Sequence, residues 1–274
     1  MKITLPILAL LLVSVQMAFT QPTLVKDNLQ KNSHPNAASN PTNFINLGSK
    51  TYFFANGPTY DMGMYVTDGT ENGTKLVKQI NASVSNVVAS DKLIYFVYEN
   101  SSLFISDGTF EGTKPLAKFR SINKIINCNG TIYFTADDQI HGLELWKTDG
   151  TTAGTKLVKD IAYGLLSSQI VSWKSLGDKL ILFANDGING IEPWVSDGTE
   201  AGTKMIKDIN QASGIEEYAS EITLYQVNNY INFAADNGVN GVEFWSTNGT
   251  AEGTQMLKDI NEVMVTQYNT IMPP

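Results

Sequence analysis

Acidic and amide side chains recur in loops that precede an aromatic residue, and their oxygen atoms are the ligands that Ca²⁺ prefers. The recurring groups are Asp137, Asp138 and Glu144; Asp186, Asn189 and Glu192; and Asp236, Asn237, Asn240 and Glu243. Their spacing does not match the Asp-x-Asp-x-Asp-Gly loop that carries Glu at its twelfth position. The alternative is that these side chains accept hydrogen bonds from loop backbone. We favour this alternative, so we predict no metal-binding residue and expect Glu144, Glu192 and Glu243 to face backbone N–H groups.

Histidine and cysteine are too scarce to form the usual nucleophilic catalysts. His34, in a polar linker, and His141, in a turn, are the only histidines, and Cys128 is the only cysteine. Cys128 ends the run Ile-Ile-Asn-Cys, which predicts a strand, so we expect a buried thiol rather than a nucleophile. We therefore predict no catalytic residue and no cofactor.

One short pattern recurs along the chain and organises it. Asp-Gly-Thr, or Asn-Gly-Thr in the last copy, is followed each time by a Gly-Thr pair, and an aromatic residue stands three positions before it. The copies begin at Asp68, Asp107, Asp149, Asp197 and Asn248. The aromatic residues are Tyr65, Phe104, Trp146, Trp194 and Trp245. This fixed spacing predicts repeats at about 42–81, 82–120, 121–167, 168–217 and 218–262.

Each repeat is predicted to contain four short strands separated by Gly, Asn and Asp turns. In the fourth repeat we expect strands at 169–176, Lys179–Asn185, Ile191–Ser196 and 203–209. The run Leu-Ile-Leu-Phe at 180–183 is apolar on both faces, which indicates a sheet covered on both sides. Four-stranded units that bury both faces are typical of the blades of a β-propeller. We therefore predict an all-β fold, a β-propeller of five complete four-stranded repeats plus fragments of a sixth.

The Asp-Gly-Thr segment has the composition of a hairpin loop. Asp or Asn accepts a bond from the N–H two residues on, Gly supplies a positive φ, and Thr returns the chain to the extended conformation. A phosphate-binding loop is not supported, because no Lys follows the Gly in P-loop fashion and no helix is predicted after it. We expect the aromatic residue before each loop to pack between neighbouring blades.

The third copy of the repeat carries the pattern Glu-Leu-Trp-x-x-Asp-Gly-Thr-x-x-Gly-Thr at 144–155. This segment resembles the ELWxxDGT repeat family, whose members are exported, largely bacterial proteins. The resemblance runs from about residue 22 to residue 261. The fourth copy has Pro193 in place of Leu, the fifth has Phe244 and Asn248, and the first two lack Glu-Leu-Trp. The resemblance implies a propeller-like fold and a surface or secreted location, and it supplies no catalytic residue.

The first twenty residues have the features of a secretory signal peptide, which we predict at 1–20. Lys2 gives a positive start, the apolar run 5–15 is short for a membrane span, and Ala18 and Thr20 are small residues before a cleavage site at Gln21. The alternative interpretation is a membrane anchor. Cleavage would leave a secreted or cell-surface protein with no membrane span.

The formal net charge is −8, and the sequence has no basic cluster that would indicate nucleic-acid binding. We expect a non-catalytic protein that presents propeller loops to an unknown protein or glycan partner, as a monomer or as part of a longer chain. The alternatives are a secreted hydrolase or lyase with acidic residues at the propeller axis, and a purely structural spacer. The first strand of each repeat should lie innermost, and an enzyme would be expected to carry Asp, His or Arg there.

The N-terminal segment 21–41 contains a second trace of the repeat. Leu-Val-Lys-Asp at 24–27 repeats the same four residues at 157–160, where they form the predicted fourth strand of a blade. A polar linker follows it. We therefore predict that 24–27 and 263–270 are the fragments of a sixth blade, in a ring that closes or stays incompletely closed.

Overall fold

The strands form where β-branched and aromatic residues run between Gly, Asn and Asp turns. A computed structural model describes residues 38–57, 61–211 and 222–260. Within these ranges the chain forms five antiparallel sheets of four strands each and no helix, so no helix there is long and apolar enough to cross a membrane. Each sheet consists of consecutive strands, as predicted for a propeller blade.

The bounds of the strands follow the sequence repeats one sheet at a time. The first sheet contains β1 (Thr42–Leu47), β2 (Lys50–Asn56), β3 (Met62–Thr67) and β4 (Lys75–Gln79). The second contains β5 (Val84–Ala89), β6 (Ile94–Tyr98), β7 (Ser102–Ser106) and β8 (Lys114–Lys118). The third contains β9 (Ser121–Cys128), β10 (Thr131–Asp137), β11 (Leu143–Thr148) and β12 (Lys156–Lys159). The fourth contains β13 (Ser172–Leu176), β14 (Lys179–Asn185), β15 (Ile191–Ser196) and β16 (Lys204–Met205). The fifth contains β17 (Tyr225–Val227), β18 (Tyr230–Asp236), β19 (Val242–Thr247) and β20 (Gln255–Lys258).

The fourth repeat shows where the sequence-based bounds were right and where they were wrong. Its two middle strands, β14 and β15, have the predicted bounds. The first strand begins at Ser172 rather than at 169, because Gln169 adopts a φ of 43°, outside the extended region. The last strand is two residues long rather than seven. Pro193 has no N–H to donate to the neighbouring strand. The pairing of β11 with β12 at Leu145 and Lys159 in the third repeat therefore has no counterpart between β15 and β16.

The core lies between neighbouring sheets rather than within one of them. All four side chains of the run 180–183 are 0% exposed, which confirms that both faces of the fourth sheet are covered. Phe54 of the first sheet meets Phe96 of the second edge to face, with ring centroids 5.1 Å apart. Phe183 and Phe233 make the same contact between the fourth and fifth sheets at 4.9 Å. Burying one such ring contributes about 1.5–3 kcal/mol.

Of the repeated aromatic residues, Trp194 and Trp245 are buried between sheets as predicted. Phe104 and Trp146 are half-buried and pack between sheets less completely. Tyr65 is buried, but it packs against Phe53 and Ala55 of its own sheet. Trp194 lies in a cluster that joins the fourth sheet to Tyr133 of the third. Trp146 also faces the preceding repeat, where its ring meets Phe119 at 4.9 Å. Packing between sheets is therefore found for four of the five aromatic residues, and two of these four are buried.

The outward face of the fifth sheet exposes positions that are buried in the fourth. Leu176, Ile191 and Ile206 are buried between the two sheets. The residues 51 positions later, which is the spacing between Asp197 and Asn248, are Val227, Val242 and Leu257, and they are 54%, 55% and 50% exposed. No described sheet covers this face. The fragments predicted to complete a sixth blade, at 24–27 and 263–270, lie outside the described residues, as does the predicted signal peptide.

Candidate functional site

The repeated loop is built by its own side chains, as the third copy shows. Asp149 Oδ1 accepts bonds from Thr151 N at 2.8 Å and from Thr151 Oγ1 at 2.7 Å. Gly150 has a φ of 90°, and Thr151 Oγ1 accepts the N–H of Gly154 at 2.9 Å. The side-chain and backbone bonds from Thr151 hold the pKa of Asp149 below its usual range. The other four copies make the same bonds, so the motif is satisfied without a ligand.

A pair of hydroxyl groups closes each loop, and the sequence motif did not predict it. Thr148 Oγ1 lies 2.8 Å from Thr155 Oγ1, and it accepts the N–H of Gly150 at 3.0 Å. The pairs are Thr67 and Thr74, Ser106 and Thr113, Thr148 and Thr155, Ser196 and Thr203, and Thr247 and Thr254. In all five copies a Ser or Thr directly precedes the Asp or Asn of the Asp-Gly-Thr motif, and this is the sequence signal that identifies these pairs.

The glycine of the loop also fits against the preceding blade. A Cβ atom at Gly108 would lie 2.1 Å from the hydroxyl oxygen of Tyr52 in the first repeat. The same atom at Gly198 would lie 2.6 Å from the hydroxyl oxygen of Tyr133 in the third repeat. Real Cβ contacts are longer, so only glycine allows this approach. These loops therefore pack closely against a neighbouring blade.

The repeated glutamates bind loop backbone, which confirms the prediction for their side chains. Glu144 accepts the N–H of Ile161 at 2.9 Å and of Ala162 at 3.1 Å, one on each oxygen. Glu192 makes the equivalent bonds to Ile209 and Asn210, and Glu243 accepts the N–H of Ile260 at 3.1 Å. In the described ranges no three His, Cys, Asp or Glu residues are grouped so that they would hold a metal ion.

The shorter acids and amides of the same loops also bind backbone. Asp138 Oδ1 accepts the N–H groups of Ile140 and His141, both at 2.9 Å. Asp186 Oδ1 makes the matching bonds to residues 188 and 189, and Asn237 Oδ1 to residues 239 and 240. His141 Nδ1 lies 2.8 Å from Asp138 Oδ2 and thus belongs to the turn, as predicted. His34 lies outside the described residues.

Burial opposes the ionisation of the two best-enclosed glutamates. Both side chains are 0% exposed, and burial raises the pKa of Glu144 and of Glu192 to about 7, against the lowering effect of their two backbone N–H donors. The carboxyl groups of Asp160 and Asp208 raise these pKa values further. The position of these groups is structural, and their protonation affects stability.

Cys128 is a core residue, as predicted. It is 1% exposed, and its thiol donates to the carbonyl oxygen of Lys179 at 3.2 Å. Burial raises the pKa of this thiol, which keeps it protonated and unreactive at neutral pH.

The first strands of neighbouring sheets converge, which makes them the inner strands of the propeller. Asn127 Nδ2 donates to the carbonyl oxygen of Ala89 at 2.6 Å and links β9 to β5. Lys124 Nζ donates to the carbonyl oxygen of Val171, next to β13. The N–H of Ile222, which precedes β17, donates to Ser172 Oγ at 2.8 Å.

A cavity of about 620 Å³ opens among these inner strands, and we call it the axial cavity. Its lining consists of Asn86, 124–126, 172–174 and 222–224. This volume falls within the range of about 300–1,000 Å³ that is typical of ligand sites. The described lining residues include Lys124, Lys174 and Trp173, and none of them is Asp, Glu, His or Arg. The axial cavity is therefore the candidate binding site.

The two lysines of this cavity were not predicted from the sequence. Lys124 and Lys174 lie 50 positions apart in different repeats, so their approach depends on the packing of the blades. The available signal was a lysine in two inner strands of a chain that is acidic overall.

No protein-family model and no curated protein matches this chain. Solved structures resemble its fold. A puromycin hydrolase aligns with a TM-score of 0.52 and 11% identity over 79% of this chain and 37% of the hydrolase. A structure from a study of two prolyl endopeptidases aligns with a TM-score of 0.53 and 9% identity. The alignment covers 80% of this chain and 36% of that chain.

The β-propeller domain of the Trilobed protease from Pyrococcus furiosus also aligns, with a TM-score of 0.47 and 10% identity over 82% of this chain and 74% of that domain. The sheets and their arrangement define the class of this protein as a β-propeller. The chain spans less than two fifths of the hydrolase and of the endopeptidase, and at these identities the likeness concerns the fold alone.

Proposed function

We propose that this protein is a non-catalytic binding module of the secreted or cell-surface type, and that its ligand site is the axial cavity. The observation that carries the proposal is the convergence of four repeats on one cavity with two lysines and a tryptophan. The cavity offers positive charge and an aromatic surface, which recognise a ligand. Its described lining residues supply no carboxylate or imidazole for general acid–base catalysis.

The repeated loops support this proposal, because their polar groups are occupied. The Asp, Asn and Thr side chains of each copy bind one another and the loop backbone. The repeated glutamates likewise hold backbone N–H groups. The polar motifs of the repeat therefore build the scaffold, and the residues that differ between the repeats are left to recognise a partner.

The test is a binding screen of the purified chain against defined glycans and purified surface proteins, combined with hydrolysis assays on the same polysaccharides. Lys174→Glu, which reverses a charge in the axial cavity, should abolish the binding that the wild type shows. Lys114→Glu changes an exposed lysine on the outer strand β8 and serves as the matched control. Hydrolysis of a polysaccharide at enzymatic rates, or binding unaffected by Lys174→Glu, would contradict the proposal.

Export is a separate part of the proposal with its own test. We propose that residues 1–20 are removed on secretion, on the strength of the sequence pattern at Lys2, 5–15, Ala18 and Thr20. The N-terminus of the protein recovered from the culture medium or cell surface should be Gln21, as determined by mass spectrometry. Recovery of the uncleaved chain from the membrane fraction would favour the anchor instead.

A further inference from the structure

We propose that the axial cavity recognises an acidic sugar, with the carboxylate of a uronate unit at Lys174 and Lys124 and its ring against Trp173. This inference rests on the proposed function and names the ligand class of the same site. Three features support it, which are the charge of the cavity, the hydrogen-bond partners of the two lysines and the packing of the tryptophan.

The charge of the cavity is opposite to that of the chain. The protein carries a formal net charge of −8, yet the described residues that line the cavity include two lysines and no acidic side chain. A positive pocket on a negative surface attracts one or two carboxylates at short range. The rest of the surface repels a dense polyanion such as a nucleic acid. A uronate unit, with one carboxylate per ring, fits this distribution of charge.

The two lysines differ in their partners among the described residues. Lys124 Nζ donates to the carbonyl oxygen of Val171, which fixes the ammonium group at the junction of two blades. An ammonium group has three donors, so others remain for a ligand. Lys174 is half-buried and makes no ion pair within the described part of the chain. Its ammonium group is available to a ligand carboxylate.

Trp173 contributes an aromatic surface to the same lining as the two lysines. Part of the ring packs against the core cluster that contains Cys128 and Trp194, which holds it in place. The remainder faces the cavity, where Ile126 and Leu224 provide further apolar surface and Thr223 a hydroxyl group. The C–H face of a pyranose ring suits an aromatic surface, and its hydroxyl rim suits the amide of Asn86 and the hydroxyl of Thr223.

A flexible acidic peptide fits the cavity less well. Its carboxylates would satisfy the lysines, but a glutamate side chain offers no flat apolar face to Trp173. Ordering a peptide also costs more conformational entropy than placing a preformed ring. The combination of a fixed aromatic ring and two ammonium groups therefore favours the sugar.

The experiment is isothermal titration calorimetry of the purified chain with a short oligogalacturonate. A neutral galacto-oligosaccharide of equal length and an oligoglutamate of equal charge are the comparison ligands. Lys174→Gln should weaken oligogalacturonate binding at least tenfold relative to the wild type. The single variant Trp173→Leu should weaken it by a larger factor. Lys114→Gln, on the outer strand, should leave it unchanged. Higher ionic strength should also weaken binding. Thermal melts establish that each variant is folded.

The possible results separate this inference from the proposed function. Absence of oligogalacturonate binding, together with neutral-sugar binding that Trp173→Leu abolishes, would overturn the acidic-sugar assignment and leave the binding function standing. Equal binding of the oligoglutamate with the same dependence on Lys174 would show that charge alone is recognised, and would also overturn it. If none of the three ligands binds the folded wild type, the acidic-sugar assignment is overturned, and the axial site is then decided by the binding screen with Lys174→Glu.

Discussion

Glu192 shows how single residues of the repeat affect stability. Burial raises its pKa from 4.5 to about 7 in the folded protein. Between these values the folded state holds more protons than the unfolded chain, so the free energy of unfolding falls as pH rises. The stabilising contribution is complete below about pH 4.5 and is lost once the pH passes about 7. We expect a loss of up to about 3 kcal/mol for this glutamate, since each pKa unit corresponds to about 1.4 kcal/mol.

Urea denaturation across this pH range measures the effect. Glu192→Gln should reduce the pH dependence and leave the part that Glu144 contributes, because the amide does not titrate. It should also lower stability at acidic pH, because its NH₂ group opposes a backbone N–H. Glu200→Gln alters an exposed carboxyl group and should leave the slope as in the wild type. An unchanged slope in Glu192→Gln would show that the buried carboxyl is not its source.

Trp194 tests the packing role of the repeated aromatic residue. It is 6% exposed and joins the third and fourth sheets. Trp194→Ala should reduce the free energy of unfolding by about 3–5 kcal/mol, the usual cost of deleting a core aromatic. Trp146→Ala should cost less, because that ring is half-buried. A Trp194→Ala variant that melts within a degree or two of the wild type would show that the ring does not hold the blades together.

Removal of metal ions is expected to change nothing at these residues. The oxygens of Glu144 and Glu192 are occupied by backbone N–H donors. The melting temperature should therefore be the same with and without a chelator. A drop on chelation that calcium reverses would revive the calcium interpretation of the acidic loops.

At the scale of the element, two glycines separate backbone strain from contact between blades. Gly150 and Gly130 have φ values of 90° and 88°, so alanine costs each a similar strain of about 1 kcal/mol. A Cβ at Gly150 would also lie 2.5 Å from Leu93 and 2.9 Å from the hydroxyl oxygen of Tyr95, whereas none lies within 4 Å at Gly130. Gly150→Ala should therefore destabilise the protein clearly more than Gly130→Ala in chemical denaturation. Equal losses would mean that the loop does not join the blades.

Elements were predictable from the sequence where the pattern is local. The strands β14 and β15 have the expected bounds because turns rich in Gly, Asn and Asp lie on either side of each strand. The ends of β13 and β16 were not predictable, because they depend on the backbone angle at Gln169 and on the N–H that Pro193 lacks. The axial cavity depends on contacts between repeats, which no single strand pattern contains.

In the molecule as a whole, the last described blade has one face that no other described sheet covers. Ile206 is 7% exposed between the fourth and fifth sheets, and its equivalent Leu257 is 50% exposed on the outer face of the fifth. Ile206→Ala should cost about 2–5 kcal/mol, whereas Leu257→Ala should cost well under that. Equal costs in urea denaturation would show that the fifth sheet is covered in solution as the fourth is.

We place the binding site at the inner strands of the β-propeller. Hydrogen–deuterium exchange of the chain with and without oligogalacturonate tests this placement most directly. The ligand should slow exchange in β9 (Ser121–Cys128) and β13 (Ser172–Leu176), because their inner edges line the axial cavity. The outer strands β12 and β16 should exchange as before. Protection in the Asp-Gly-Thr loops or in the outer strands, with none in β9 and β13, would contradict the account.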